Sequence, residues 1–126
     1  MTKKKILVVD DEPEMLELIR FTMEQNGYDV VTCESGTLAW EAIIDNKPDL
    51  VILDLMLPGL DGYSLQEKIS KNEATQKLPI IILTALETME PMFKRFPQVW
   101  RYMTKPFKPD DLFKTVQEAI EKGSSS

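Results

Sequence analysis

The sequence predicts one α/β domain of the (βα)5 kind, a five-stranded parallel sheet with helices on both faces, and three observations lead there. Short apolar runs recur along the chain with their hydrophobic residues consecutive instead of alternating, as in strands buried on both faces. Between these runs lie stretches of helical periodicity long enough to cross back over a sheet. Strands and helices alternating in this way assemble as right-handed βαβ units, so the strands run parallel under two layers of helix. The 126 residues, 43% hydrophobic and 29% charged, suit one such domain and are too few for two.

The first apolar run, Ile6 to Val9, is followed by a helix expected over Pro13 to Asn26, where Leu16, Ile19 and Met23 share a face and Gly27 supplies the stop. A weaker strand, Asp29 to Cys33, leads to a second helix expected from Ser35 as N-cap, through Ala39, Ala42 and Ile43, to Asn46 before Pro48. The run Leu50 to Leu53 is the third strand, and Gly62 to Lys71 the third helix. Ile80 to Leu83 is the fourth strand. The segment from Leu86 to Trp100 then holds Pro91 and Pro97. Pro91 fits a first helical turn, but Pro97 disfavours helix at Phe96, so the fourth helix is expected to be short or irregular, a stub near Pro91 to Arg95. Met89, Met92, Phe93, Phe96, Val99 and Trp100 concentrate apolar side chains there; cover for the sheet is the favoured reading, and an exposed patch for a partner the alternative. Arg101 to Thr104 is a weak fifth strand. The last helix starts at Pro109, carries Asp110 and Asp111 where the helix dipole favours acids, and buries Leu112, Val116, Ala119 and Ile120 before ending near Lys122 and Gly123. The domain is thus expected over residues 1–122, with 123–126 a Ser-rich tail, either the start of a linker or an engineered remnant.

Composition excludes several classes. A net charge of −6 and a pI near 4.7 supply no basic stripe for a phosphate backbone, so no direct contact with nucleic acid is expected. Cys33 is the one cysteine, which rules out an internal disulfide and points to a reducing, cytoplasmic setting. The basic opening Lys3-Lys4-Lys5 precedes an apolar run that stops at Asp10, too short to cross a membrane.

In open parallel sheets, ligands sit beyond the carboxyl ends of the strands. Those ends carry Asp10 and Asp11 after the first strand, Asp54 after the third, Thr84 after the fourth and Lys105 after the fifth. Gathered at one site, the carboxylates repel: two unit charges about 4 Å apart at an effective dielectric of about 20 cost roughly 4 kcal/mol. Lys105 would offset part of this, and a hard divalent cation held by oxygen ligands the rest; Mg²⁺ suits a site with few carboxylates and several waters. A lysine, a hydroxyl and a cation can then hold phosphoryl oxygens while Asp54 acts as nucleophile, forming an acyl phosphate.

Each residue alone has a plainer explanation. Asp10, Asp11 and Glu12 could cap the first helix, Asp54 could serve the turn before Pro58-Gly59, and Lys105 could be a solvated loop lysine. Their coincidence at four strand ends is what favours phosphoryl chemistry.

These stretches, Ile6-Leu7-Val8-Val9-Asp10-Asp11-Glu12, Asp49 to Gly62 with Asp54 at their centre, Ile82-Leu83-Thr84-Ala85 and Lys105-Pro106-Phe107, closely resemble response-regulator receiver domains of two-component systems. The resemblance runs from Lys5 to about Glu121. It implies a flavodoxin-like sheet in the order 2-1-3-4-5, which periodicity does not provide. It also implies that Asp54 accepts a phosphoryl group from a sensor histidine kinase or a histidine phosphotransfer protein. Asp11 would ligate Mg²⁺, or Mn²⁺ in its place, directly; Asp10 would do so largely through water, and the backbone carbonyl of Met56 would be a further ligand. Lys105 would pair with the phosphoryl group, and the Lys105–Pro106 bond would be cis. Thr84 and Tyr102 would form the switch, Tyr102 turning inward as Thr84 moves to the phosphoryl oxygens. Output would pass through the surface of the fourth helix, fifth strand and fifth helix, to an effector domain, a partner or a second copy. A receiver is a switch that promotes its own phosphorylation, not a turnover enzyme.

The chain departs from the family pattern between Leu86 and Trp100, which lacks the usual Gly-Ala before the fifth strand and is about one residue short. Met56 and Leu86, each two places past a site residue, are apolar at positions that in this family influence water access to the acyl phosphate, so slow self-dephosphorylation is implied. Rival readings are weaker. A flavin binder would need a phosphate-cradling first loop, which Asp10-Asp11-Glu12 would oppose, and an aspartyl phosphatase would usually carry an acid where Met56 stands. A degenerate receiver acting as a phosphorylation-independent interaction module would be expected to lack some of these residues.

Overall fold

In a computed structural model, which describes residues 3–124, ten elements alternate along the chain: β1 (Lys5–Val9), α1 (Pro13–Gln25), β2 (Asp29–Cys33), α2 (Ala39–Asn46), β3 (Leu50–Leu53), α3 (Gly62–Lys71), β4 (Ile80–Thr84), α4 (Glu90–Phe93), β5 (Val99–Thr104) and α5 (Pro109–Ser124). The strands form one parallel sheet in the order β2-β1-β3-β4-β5. Each expected strand is present, and the sheet order is the one the family resemblance implies.

The consecutive apolar residues of each strand divide between two cores, because side chains alternate across a sheet. Leu7, Val9, Val51, Leu53, Ile80 and Ile82 pack with Ala39 and Ile43 of α2, Leu65 and Ile69 of α3, and Phe93 of α4. On the other face Ile6, Val8, Leu50, Ile52, Ile81 and Leu83 meet Leu16, Ile19 and Met23 of α1 and Leu112, Val116, Ala119 and Ile120 of α5.

Several boundaries differ from expectation by a residue or more, and three of the differences have a visible cause or consequence. First, α2 begins at Ala39, not after Ser35. Residues 36–38 form a turn, in which a Cβ on Gly36 would lie 2.6 Å from Leu60 Cβ and 2.8 Å from the Pro58 carbonyl oxygen. That close approach to the loop after β3 holds the chain out of a helical path, and the Ser35 hydroxyl pairs with Thr37 at 2.8 Å instead of capping. Second, β5 starts at Val99, two residues early. Ile80 faces Val99 while Ile81 faces Arg101, so Trp100 is an extra residue in the strand. This bulge turns Trp100 and Arg101 toward the α5 side together, where Lys122 lies 5.3 Å over the Trp100 ring and Glu118 lies 4.0 Å from Arg101. Third, α5 continues to Ser124, just past the expected end at Lys122 and Gly123, and the remaining tail residues Ser125 and Ser126 lie outside the described residues.

The Pro-containing segment behaves as its prolines require: α4 is a single turn with Pro91 near its start. Its apolar side chains cover the sheet. Phe93 is fully buried, with ring centroids 6.2 Å from Tyr63, 6.5 Å from Phe96 and 6.1 Å from Tyr102, while Met92 is 39% exposed. One aromatic ring therefore anchors a helix too short to hold its own place. Phe93→Ala is expected to lower the unfolding free energy by about 3 to 5 kcal/mol in urea denaturation, and Met92→Ala by less than about 1 kcal/mol; similar losses for the two would show that Phe93 does not anchor α4.

Candidate functional site

The carboxyl edge of the sheet brings together residues far apart in sequence. Val9 and Leu53 are neighbours in register, so the acids that follow them, Asp10 and Asp54, emerge side by side from β1 and β3. Both are nearly inaccessible, 2% and 4% exposed. Each uses its Oδ1 to accept the backbone N–H two residues on, Glu12 N to Asp10 and Met56 N to Asp54, both at 3.0 Å. Each turns its Oδ2 to the same ammonium, Lys105 Nζ, at 2.8 Å from Asp10 and 2.9 Å from Asp54.

Lys105 reaches this point from the loop after β5, across the end of β4, with its backbone N–H on the Thr84 carbonyl at 2.8 Å. The Lys105–Pro106 peptide is cis, as the resemblance implies. The Nζ makes a third ion pair, to Glu12 Oε1 at 2.9 Å. Burial alone would pull the ammonium below its ordinary value of 10.5, but the hydrogen bonds to Asp10, Asp54 and Glu12, with the Asp54 charge, hold it above that value.

Asp10, Glu12 and Asp54 each offer a carboxylate oxygen, and these three atoms lie within 4.8 Å of one another. Three negative charges against one ammonium leave two uncompensated, and the buried oxygens of Asp10 and Asp54 suit a hard divalent cation. Asp11, expected as the direct ligand, is exposed and stands outside this group. Glu12 joins Asp10 and Asp54 around the Lys105 ammonium. The sequence offered a signal for Glu12, an acid two residues past the strand tip, but its position before Pro13 made a helix cap the simpler reading.

Thr84 is fully buried, and its Oγ1 accepts the Leu86 N–H at 3.3 Å. Tyr102, 8% exposed, donates its hydroxyl to the Leu86 carbonyl. The two expected switch residues therefore grip one residue of the β4–α4 loop from both sides. Burial, then the charges of Glu90, Asp54 and Glu87, push the Tyr102 phenol up. Met56, whose carbonyl was an expected ligand, is 56% exposed beside Asp54.

A doubly wound parallel sheet with buried acids and a lysine at its carboxyl edge defines the receiver class of signalling domain. The sequence matches the family model described as response regulator receiver domain over residues 6–117, and the chain belongs to that family. It is a receiver domain of two-component response regulators, and receiver domains are signalling switches. It is 36% identical over 123 residues to the phosphate regulon transcriptional regulatory protein PhoB of Pseudomonas aeruginosa, a match covering 97% of this chain and 54% of that protein. The alkaline phosphatase synthesis transcriptional regulatory protein PhoP of Bacillus subtilis is 39% identical over 122 residues, 94% of this chain and 49% of its own. The chain thus spans about half the length of the curated relatives it matches. Among solved structures, a CheY-like response regulator receiver domain protein from Methanospirillum hungatei superposes with a TM-score of 0.88 at 26% identity, covering 98% of each chain. No helix among the described residues is long and apolar enough to cross a membrane.

Lys105→Met would leave Asp10 and Asp54 buried without a counter-charge, and an expected loss of about 3 kcal/mol or more in chemical denaturation at neutral pH follows. Because the folded-state value of Lys105 is raised, its stabilisation is fully present below 10.5 and lost only as pH climbs through that higher value. The gap between the native chain and Lys105→Met should hold from about pH 7 to about pH 10; a gap that closes within that window would contradict the assignment.

Proposed function

We propose that this chain is a phosphoacceptor receiver that takes a phosphoryl group onto Asp54, from a phosphohistidine of a sensor histidine kinase or a histidine phosphotransfer protein, in the presence of Mg²⁺, with Mn²⁺ as a substitute. One observation carries the reading: two buried acids from different strands each keep one oxygen on the backbone and aim the other at a shared lysine.

An acid held in this way has one fixed orientation. The backbone bond from Met56 to Asp54 Oδ1 orients the carboxylate, and an oxygen of Asp54 can then form a bond to phosphorus while the phosphorus–nitrogen bond of the donor breaks. The electron pair of that bond returns to the imidazole, leaving an acyl phosphate on Asp54 and a free histidine on the donor. Lys105, already at Asp54 Oδ2, balances charge on the transferred oxygens. The cation, when bound, supplies further neutralisation of the acids and the phosphoryl oxygens. Asp10 and Asp54 would hold it, with Asp11 and the Met56 carbonyl assigned to the same role from the family pattern.

Thr84 and Tyr102 are the proposed relay. A phosphoryl group adds about −1.5 to −2 charge and acceptor oxygens that need donors. A Thr84 hydroxyl drawn to them would give up its contact with the Leu86 N–H, and the loop that Tyr102 also holds would be released to a second packing. The surface of α4, β5 and α5 would carry that change to an effector domain, a partner or a second copy. Two relatives are named as DNA-binding regulators, and that contact is assigned to the part of those proteins that this chain does not match.

Intact mass after incubation with acetyl phosphate and Mg²⁺ tests the acceptor. The native chain should gain one phosphoryl mass and Asp54→Asn none; equal gain in both would move the acceptor elsewhere. Met56 and Leu86 are apolar at the two positions that in the family pattern influence water access to the acyl phosphate, so the phosphorylated form, followed by the same mass measurement in Mg²⁺, should survive far longer than seconds.

A further inference from the structure

We propose that Glu12 is a positioning residue for phosphoryl transfer, its carboxylate occupying one donor of Lys105 until the incoming phosphoryl group displaces it. The proposal rests on Asp54 as acceptor and concerns how Lys105 becomes available to it.

A lysine ammonium has three N–H donors and no more. In this structure all three have carboxylate partners, Asp10, Glu12 and Asp54, at 2.8 to 2.9 Å. Lys105 can therefore bond a phosphoryl oxygen only by releasing one of them. The three are not equivalent. Asp10 and Asp54 are buried, so either one released would stay behind as a carboxylate deprived of its counter-charge, which is unfavourable. The Glu12 side chain is 58% exposed, and water can take over its hydrogen bond. Glu12 is thus the partner that leaves.

Its side chain has no competing duty in the helix. Glu12 occupies the N-cap position of α1 with φ −90° and ψ 111°, yet it makes no side-chain capping bond. What it contributes to local structure comes from its backbone, whose N–H goes to Asp10 and whose carbonyl accepts the Leu16 N–H at 3.0 Å. Those bonds survive any change of the side chain. The carboxylate is instead turned inward over the ammonium, where it also opposes an arriving anion. Glu12 thereby slows loading of Asp54 twice over, by holding a donor and by repelling the phosphoryl group.

The test compares the native chain with Glu12→Gln and Glu14→Gln, reading the initial rate of phosphoryl gain from acetyl phosphate by intact mass at saturating Mg²⁺, and Mg²⁺ affinity by calorimetry. Glu14, exposed on the first turn of α1 and outside the three ion pairs of Lys105, controls for loss of a nearby charge. Glu12→Gln should load about 1.5- to fivefold faster, the size expected for removing one exposed ion-pair partner, with Mg²⁺ affinity within about threefold of native. Glu14→Gln should match the native rate. An unchanged or slower rate for Glu12→Gln, or equal acceleration by both variants, would overturn the proposal. So would a Mg²⁺ affinity for Glu12→Gln weakened about tenfold or more, since that would make Glu12 a ligand of the cation. If the native chain itself gains no phosphoryl group, the failure lies with Asp54 as acceptor, and this inference falls with it.

Discussion

The ammonium of Lys105, shared between Asp10 and Asp54, is the contact on which the carboxyl edge of the sheet depends. Two carboxylates brought side by side out of water by adjacent strands would otherwise repel at short range and lose their hydration. The lysine meets both demands with one side chain, because it comes from the far side of the sheet and crosses β4 to reach them. The fold and the site are thus tied together: β1, β3 and β5 each contribute one charged residue, and their relative positions are set by strand order and register.

That arrangement is satisfied without being neutral. The ammonium is saturated with acceptors while the acids retain two negative charges in excess. A dication and an anion arriving together would suit such a site better than either alone, which is the electrostatic logic of a switch set by phosphorylation. The exposure of Glu12 matters in the same terms. A site made only of buried partners would resist rearrangement, whereas one exposed partner provides a route by which the lysine can change company at little cost.

Away from the site, the fourth helix and fifth strand show local rules bending to packing. Two prolines restrict the segment to one helical turn, and Phe93 compensates by filling the space between α3 and the sheet. The bulge at Trp100 then changes which way the strand's residues point, so that Tyr102 arrives on the inner face with its hydroxyl at the loop after β4. The surface assigned to output is therefore built on a single helical turn joined to the loop that Thr84 and Tyr102 hold from opposite sides.

Much of this was present in the chain before folding was considered. Consecutive apolar runs located β1, β3 and β4 and weaker patterns β2 and most of β5, proline and glycine positions bounded α1, α4 and the start of α5, and the residues after the strands named Asp10, Asp54, Thr84 and Lys105. Such features depend on neighbours a few residues apart, where propensity and periodicity act. The start of α2, the bulge in β5 and the place of Glu12 beside Lys105 were decided elsewhere. The first depends on Gly36 meeting the Pro58–Leu60 loop, the second on pairing with β4, and the third on where Lys105 arrives from the other side of the sheet. Each is a contact between segments distant in sequence. The sequence by itself determined which residues carry charge at the strand ends, because those positions follow from local pattern. Only the tertiary structure decided which of them meet, because a carboxylate turns toward whatever donor the completed sheet brings within reach.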